Sequence, residues 1–233
     1  MRGRLTRIML IGAAAAVTVM LSAAGALAAT WSVHPAGSFT APLNQGTMIL
    51  FKDDTSGLTL ACPAATAKGD VPKSGHGLAG NGIATISRNT WGTSTRVCTG
   101  PLQSMSTAVS TNTPWKFNAA GYNASVDGGQ TRGTITASGA GIGFKIASSA
   151  LGVACSMTIG GSKSAPASAS FLYDNKSHLL AITDVTNLKV LSSNCPAVNA
   201  GDRERFITTP ASKAGSSVTH GYSVSSRIHL TSP

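Results

Sequence analysis

Glutamate is almost missing from this 233-residue sequence: Glu204 is the only one, and all charged residues together make up 11% of the chain. Lysine and leucine are also sparse. These residue types stabilise exposed helices, so their scarcity argues against a mainly helical protein. Hydrophobic content of 42% combined with low charge argues equally against a disordered one. Aromatic residues are only 5% of the chain, too few to fill two separate cores well. A single compact domain over residues 29–233 is therefore expected, rather than two tandem sandwiches. After the first thirty residues no long apolar run follows, so no further helical membrane span is expected.

Those first thirty residues read as an export leader. Arg2, Arg4 and Arg7 form a basic head, Ile8 to Leu21 is apolar, and Ala26-Leu27-Ala28 supplies small residues for cleavage. The reading places a signal peptide at 1–28. An uncleaved anchor is the competing reading, because Ile8 to Ala29 nearly spans a bilayer in length; the small-residue exit favours cleavage. A twin-arginine pair and an exit cysteine are both lacking, so neither Tat export nor a lipid anchor is implied. Loss of three arginines lowers the net charge from +10 to +7. The address expected is extracellular or associated with the cell envelope.

What the chain does have is serine plus threonine, about a quarter of all residues, and 26 glycines. Short segments with apolar residues at a period of two recur throughout, among them Trp31 to Val33, Met48 to Phe51, Leu58 to Ala61, Trp115 to Phe117 and Thr134 to Thr136. Leu151 to Ile159, Ala169 to Tyr173, Leu179 to Ile182 and Leu188 to Leu191 continue the series. Between them lie turn clusters such as Asp53-Asp54-Thr55-Ser56-Gly57, Asp127-Gly128-Gly129 and Asp174-Asn175-Lys176-Ser177. This pattern predicts an all-β fold, an antiparallel sandwich or barrel-like domain. Pro63 to Lys68 and Val198 to Arg205 are the only segments in which a helical turn is expected.

The chain also resembles itself. Shifted by 93 residues, Gly46 to Cys62 lies on Gly139 to Cys155 with eight of seventeen positions identical: Gly46/Gly139, Ile49/Ile142, Phe51/Phe144, Lys52/Lys145, Ser56/Ser149, Leu58/Leu151, Ala61/Ala154 and Cys62/Cys155. Looser echoes at slightly longer shifts join Gly37 to Ala41 with Gly133 to Ala137, and Gly121 to Ser125 with Gly221 to Ser225. An internal duplication is expected, with pseudo-repeats at about 35–128 and 131–226. Four cysteines outside the leader, with no CxxC pair, point to two disulfides in an oxidising compartment. One bridge per half gives Cys62–Cys98 and Cys155–Cys195.

Catalytic motifs are scarce. Gly75-His76-Gly77-Leu78-Ala79-Gly80 matches a dinucleotide-binding spacing, but it lacks the acidic residue downstream that the motif requires and is expected to be a flexible turn. No G-x-S-x-G elbow occurs. His34, His76, His178, His220 and His229 are isolated in the chain, and His178 and His229 are expected on solvent-facing strand positions. The close acidic pairs, Asp53-Asp54 and Asp202/Glu204, sit among turn residues and are expected to be solvated rather than paired for glycoside cleavage. No calcium-type loop, zinc spacing or cofactor motif is present. The basic residues, from Lys52 to Arg227, are spread almost evenly and without aromatic interleaving. That spread argues against nucleic acid and for weak attraction to anionic envelope polymers.

Several segments resemble a known group: Trp31 to Ala41 (WSVHPAGSFTA), the Leu58-to-Cys62 segment, Cys98-Thr99-Gly100-Pro101, Thr113-Pro114-Trp115-Lys116-Phe117-Asn118, and the closing Leu230-Thr231-Ser232-Pro233. Together with the leader they look like exported, β-rich proteins of actinobacteria of similar length. The resemblance covers nearly the whole mature chain, through short motifs. It implies an address and a layout, and brings no activity or site residue. The functional expectation is a secreted, non-enzymatic binding or structural protein. A secreted hydrolase whose site forms only in the fold is the first alternative, and an envelope pore built of amphipathic strands the second.

Overall fold

A computed structural model describes residues 30–100, 105–150 and 153–232. The leader at 1–28 lies outside the described residues, as do Leu151 and Gly152. The described chain holds nineteen strands and no helix. They are β1 (Thr30–His34), β2 (Gly37–Pro42), β3 (Met48–Asp53), β4 (Thr59–Cys62), β5 (Ala65–Val71), β6 (Gly75–Ala79) and β7 (Asn81–Trp91). There follow β8 (Cys98–Thr99), β9 (Met105–Thr111), β10 (Trp115–Asn123), β11 (Gln130–Thr136), β12 (Gly143–Ala150) and β13 (Val153–Gly160). The last six are β14 (Ser168–Asp174), β15 (Leu179–Thr186), β16 (Lys189–Ser193), β17 (Glu204–Thr209), β18 (Tyr222–Ser223) and β19 (His229–Thr231).

Every ladder between named strands is antiparallel, and the sheet curls into half-barrels. One limb runs β2-β5-β7-β10-β11-β14-β15-β18. Its ends are drawn together by the Leu43–Tyr222 bridge and by the Ser225 N–H donating to the Thr40 carbonyl. A second limb hangs from β9, which joins β7 at Thr90–Val109 and Trp91–Ala108. From β9 it extends one way through β12, β13 and β16, and the other way through β8, β4, β3 and β17. A Lys189–Arg203 bridge and the Glu204 N–H donating to the Leu188 carbonyl tie those two edges. The small sheet β19-β1-β6 is fastened to the first limb through Asn175, whose side chain both donates to the Leu230 carbonyl and accepts from its N–H.

Alternation explains where the core sits. Along β5, Ala65, Ala67, Gly69 and Val71 face inward while Lys68 faces water, so the segment that sequence suggested for a helical turn is a strand. The other such segment, up to Arg205, is turn and loop leading into β17. The glycine-rich run at 75–80 is likewise not a loose turn: Gly75–Ala79 is the edge strand β6. One continuous apolar cluster includes Trp31, Phe51, Trp91, Trp115, Phe144, Phe171, Phe206 and Tyr222, drawn from the whole length of the chain. Phe51 and Phe144, equivalent under the 93-residue shift, meet edge-on with ring centroids 5.3 Å apart.

The disulfides are Cys62–Cys98 and Cys155–Cys195, one in each half. The two aligned hairpins begin alike, each strand following a glycine with positive φ (Gly46 +78°, Gly139 +64°) and burying its Ile and Phe. Beyond the turn they part. Phe51 faces Leu60, but Phe144 faces Ile159 rather than Val153, the position that the shift equates with Leu60. Cys62 consequently stands opposite Ile49, and Cys155 opposite Ser148.

Candidate functional site

The outer face of the small sheet gathers histidines that the sequence keeps far apart. Trp31 and Val33 of β1 turn inward and are buried, so Ser32 and His34 turn outward. Ser-x-His occurs twice, at Ser32-Val33-His34 and Ser74-Gly75-His76, and Val33 pairs with Gly75 in the antiparallel β1–β6 ladder. That register sets each serine against the other segment's histidine. The Ser32 hydroxyl lies 2.7 Å from His76 Nδ1, and the Ser74 hydroxyl 3.0 Å from His34 Nδ1.

Ser74 gives its single proton to the Val33 carbonyl at 3.1 Å. It can therefore only accept from His34, which places the His34 proton on Nδ1 and leaves Nε2 as the basic nitrogen. His229 of β19 stands opposite His34 in the ladder, and its ring meets that of His178 edge-on at 5.4 Å. His178 is not on a strand: it sits in the turn between β14 and β15 with φ +54° and is half-buried. Burial lowers its pKa, helped by the charges of His229 and Arg227 and opposed by Asp174. The Tyr173 hydroxyl faces it at 3.4 Å. His220 stays outside this group, with Nδ1 2.9 Å from the Thr219 hydroxyl. The resulting cleft of about 330 Å³ is lined by Ser32, His34, Ser74, His76, His229 and Thr231, with Val33 and Gly75 as its floor, and no carboxylate is among them.

A serine nucleophile needs a base that accepts its proton and a third group that orients the base. Ser74 fails the first condition, and no carboxylate hydrogen-bonds any histidine among the described residues. Nor is any set of three or more His, Cys, Asp or Glu among the described residues arranged to hold a metal ion.

Three of the four acids of the close pairs occupy a second site, where the structure overturns the expectation of solvated turns; Asp54 stays exposed in its turn, as expected. Register places Glu204 of β17 directly opposite Asp53 of β3. Asp53, Asp202 and Glu204 are 3%, 8% and 6% exposed. Burial alone would raise the Asp53 pKa, but the Ser56 hydroxyl and the N–H groups of Ser56 and Thr55 hold its carboxylate below the usual value. Asp202 accepts the Asn199 N–H at 2.7 Å. The Glu204 carboxyl makes no hydrogen bond with any described residue. Its burial, and then the charges of Asp53, Asp202 and Asp54, push its pKa up to about 8. It lines a cavity of about 70 Å³ inside the second limb, walled mainly by Phe51, Leu60, Ile146, Met157, Ile159 and Val198.

Neither site was visible in sequence as a site. The repeated Ser-x-His was the one available signal, and it acquires meaning only once β1 and β6 are known to pair. Nothing local links Asp53 to Glu204. No family model, curated protein or solved structure matches the chain.

Proposed function

We propose that this chain is an exported, non-enzymatic binding protein that holds anionic groups of cell-envelope polymers in the histidine–serine cleft. The observation that carries the reading is the reciprocal Ser32–His76 and Ser74–His34 pairing, with His229 beside it and no acidic side chain in the lining. The Ser32 hydroxyl and the imidazoles of His34, His76 and His229 converge there, Arg227 lies close enough to act on His178, and Lys73 adjoins Ser74 in the chain. The leader and the resemblance to exported actinobacterial proteins support the address. Two disulfides, and no helix among the described residues long and apolar enough to cross a membrane, are compatible with it.

The test is sedimentation of mature protein with isolated cell envelope at low and high salt. Binding should weaken with added salt and be lost in a His34→Ala/His76→Ala/His229→Ala variant. Absence of binding in low salt, or full binding by the triple variant, would overturn the reading.

The hydrolase alternative rests on Ser32 and His76 at 2.7 Å. It requires that a serine-directed fluorophosphonate label Ser32, and that Ser32→Ala abolish both the labelling and any esterase activity. The pore alternative has little to build on: Met48, Met105, Val109, Val153 and Leu191 are the exposed large apolar residues among those described, too few for a lipid-facing band.

A further inference from the structure

The cavity of the second limb shares no lining residue with the histidine cleft, and its chemistry is different. Its walls are mainly apolar, yet Asp53 and the only glutamate of the chain both line it. Asp53 and Asp202 beside it are occupied by backbone N–H groups, whereas the Glu204 side chain, 6% exposed, meets no partner among the described residues. Asn89 Oδ1 is the only fully buried side-chain polar atom without a partner among the described residues, so the Glu204 carboxyl keeps a narrow opening to solvent through which a ligand's oxygen can reach it. A second polar spot lies on the facing wall, where Ser106 donates to the Ser148 hydroxyl at 2.7 Å and the Ser148 proton remains available.

We propose that this cavity is a binding site for a small uncharged amphiphile, a short-chain alcohol in its simplest form, whose oxygen hydrogen-bonds Glu204 and whose alkyl chain lies against Ile146, Met157 and Ile159. Size sets the class. A water takes up about 30 Å³ of liquid, and a cavity of about 150 Å³ accepts benzene. n-Butanol is about as large as benzene, so the 70 Å³ here suits a chain of about one or two carbons, longer chains requiring the walls to part. Charge sets the rest. An anion would face three neighbouring acids, and a cation would have to shed its hydration against aliphatic walls. A neutral ligand meets neither obstacle. The raised pKa of Glu204 keeps its proton in place at neutral pH, so it donates to the ligand's oxygen.

The experiment is an NMR titration of the folded protein at pH 6.5 with methanol through n-hexanol, read at the Ile146, Ile159 and Met157 methyl groups. Saturable shifts that are tightest for methanol or ethanol and fall off by butanol are expected. Glu204→Gln should keep the affinity within about threefold, since the amide still donates. Glu204→Leu should weaken it by about tenfold or more, the worth of one buried hydrogen bond, while an undisturbed spectrum of the distant Trp31 and Val33 signals shows that the fold persists. Ser148→Ala offers a milder check, expected to weaken binding without altering the preferred chain length. Shifts that never saturate, equal affinity in Glu204→Leu, or tighter binding of ethylammonium than of ethanol would each overturn the proposal.

Discussion

Glu204 binds its proton to about pH 8 in the folded chain, whereas an ordinary glutamate releases it near 4.5. Between those values the folded state holds more protons than the unfolded state, so stability falls as pH rises from 4.5 to 8 and is level, for this group, on either side. Taking about 1.4 kcal/mol per pH unit, the contribution lost is on the order of 5 kcal/mol. Glu204→Gln should flatten that slope, measured by urea unfolding at pH 5, 6.5 and 8, and should exceed the parent protein in stability at the highest pH. Tyr222 presents a different dependence. Its hydroxyl, fully enclosed, accepts from Trp91 Nε1 at 2.7 Å and from Asn89 Nδ2 at 3.3 Å, joining the last strands to the aromatic centre. Tyr222→Phe would strand both donors and should cost about 2 kcal/mol in chemical denaturation.

At the scale of elements, two phenylalanine–glycine pairs hold the first limb in register. Phe39 lies opposite Gly69 across β2–β5, and Phe171 opposite Gly133 across β11–β14. A Cβ at either glycine would meet the phenylalanine ring and a neighbouring carbonyl, of Thr85 or Asn118. Gly133→Ala should therefore lower stability by about 1–3 kcal/mol, seen as a shifted denaturation midpoint with an unchanged slope. Strands with inward residues at a period of two, such as Met48–Asp53 with buried Ile49 and Phe51, were legible because local pattern and final burial agree. The bridge assignment was legible because each cysteine pair closes within its own half. Elements that buried little were misread: β6 exposes His76 and Gly77 at a sheet edge and so carries no apolar rhythm. The acidic cluster was illegible for another reason. Asp53 and Glu204 meet only through β3–β17 pairing, which no local pattern specifies.

Across the whole molecule the covalent ties and the ladders do separate work. Cys155–Cys195 closes a loop with a sequence separation of 40 and anchors the wall of the second limb against the chain beyond β16. On the chain-entropy account its removal, as Cys155→Ser/Cys195→Ser, should cost roughly 4 kcal/mol and lower the melting temperature in calorimetry, with the Cys62–Cys98 pair giving a similar loss. The ladders reach further than the bridges. The first strand, β1, has one neighbour in β19, and the first limb is drawn shut by contacts of Leu43 with Tyr222 and of Thr40 with Ser225. Any process that delivers this polypeptide from its beginning onward must therefore leave the opening strands waiting, edges bare, until the closing residues arrive.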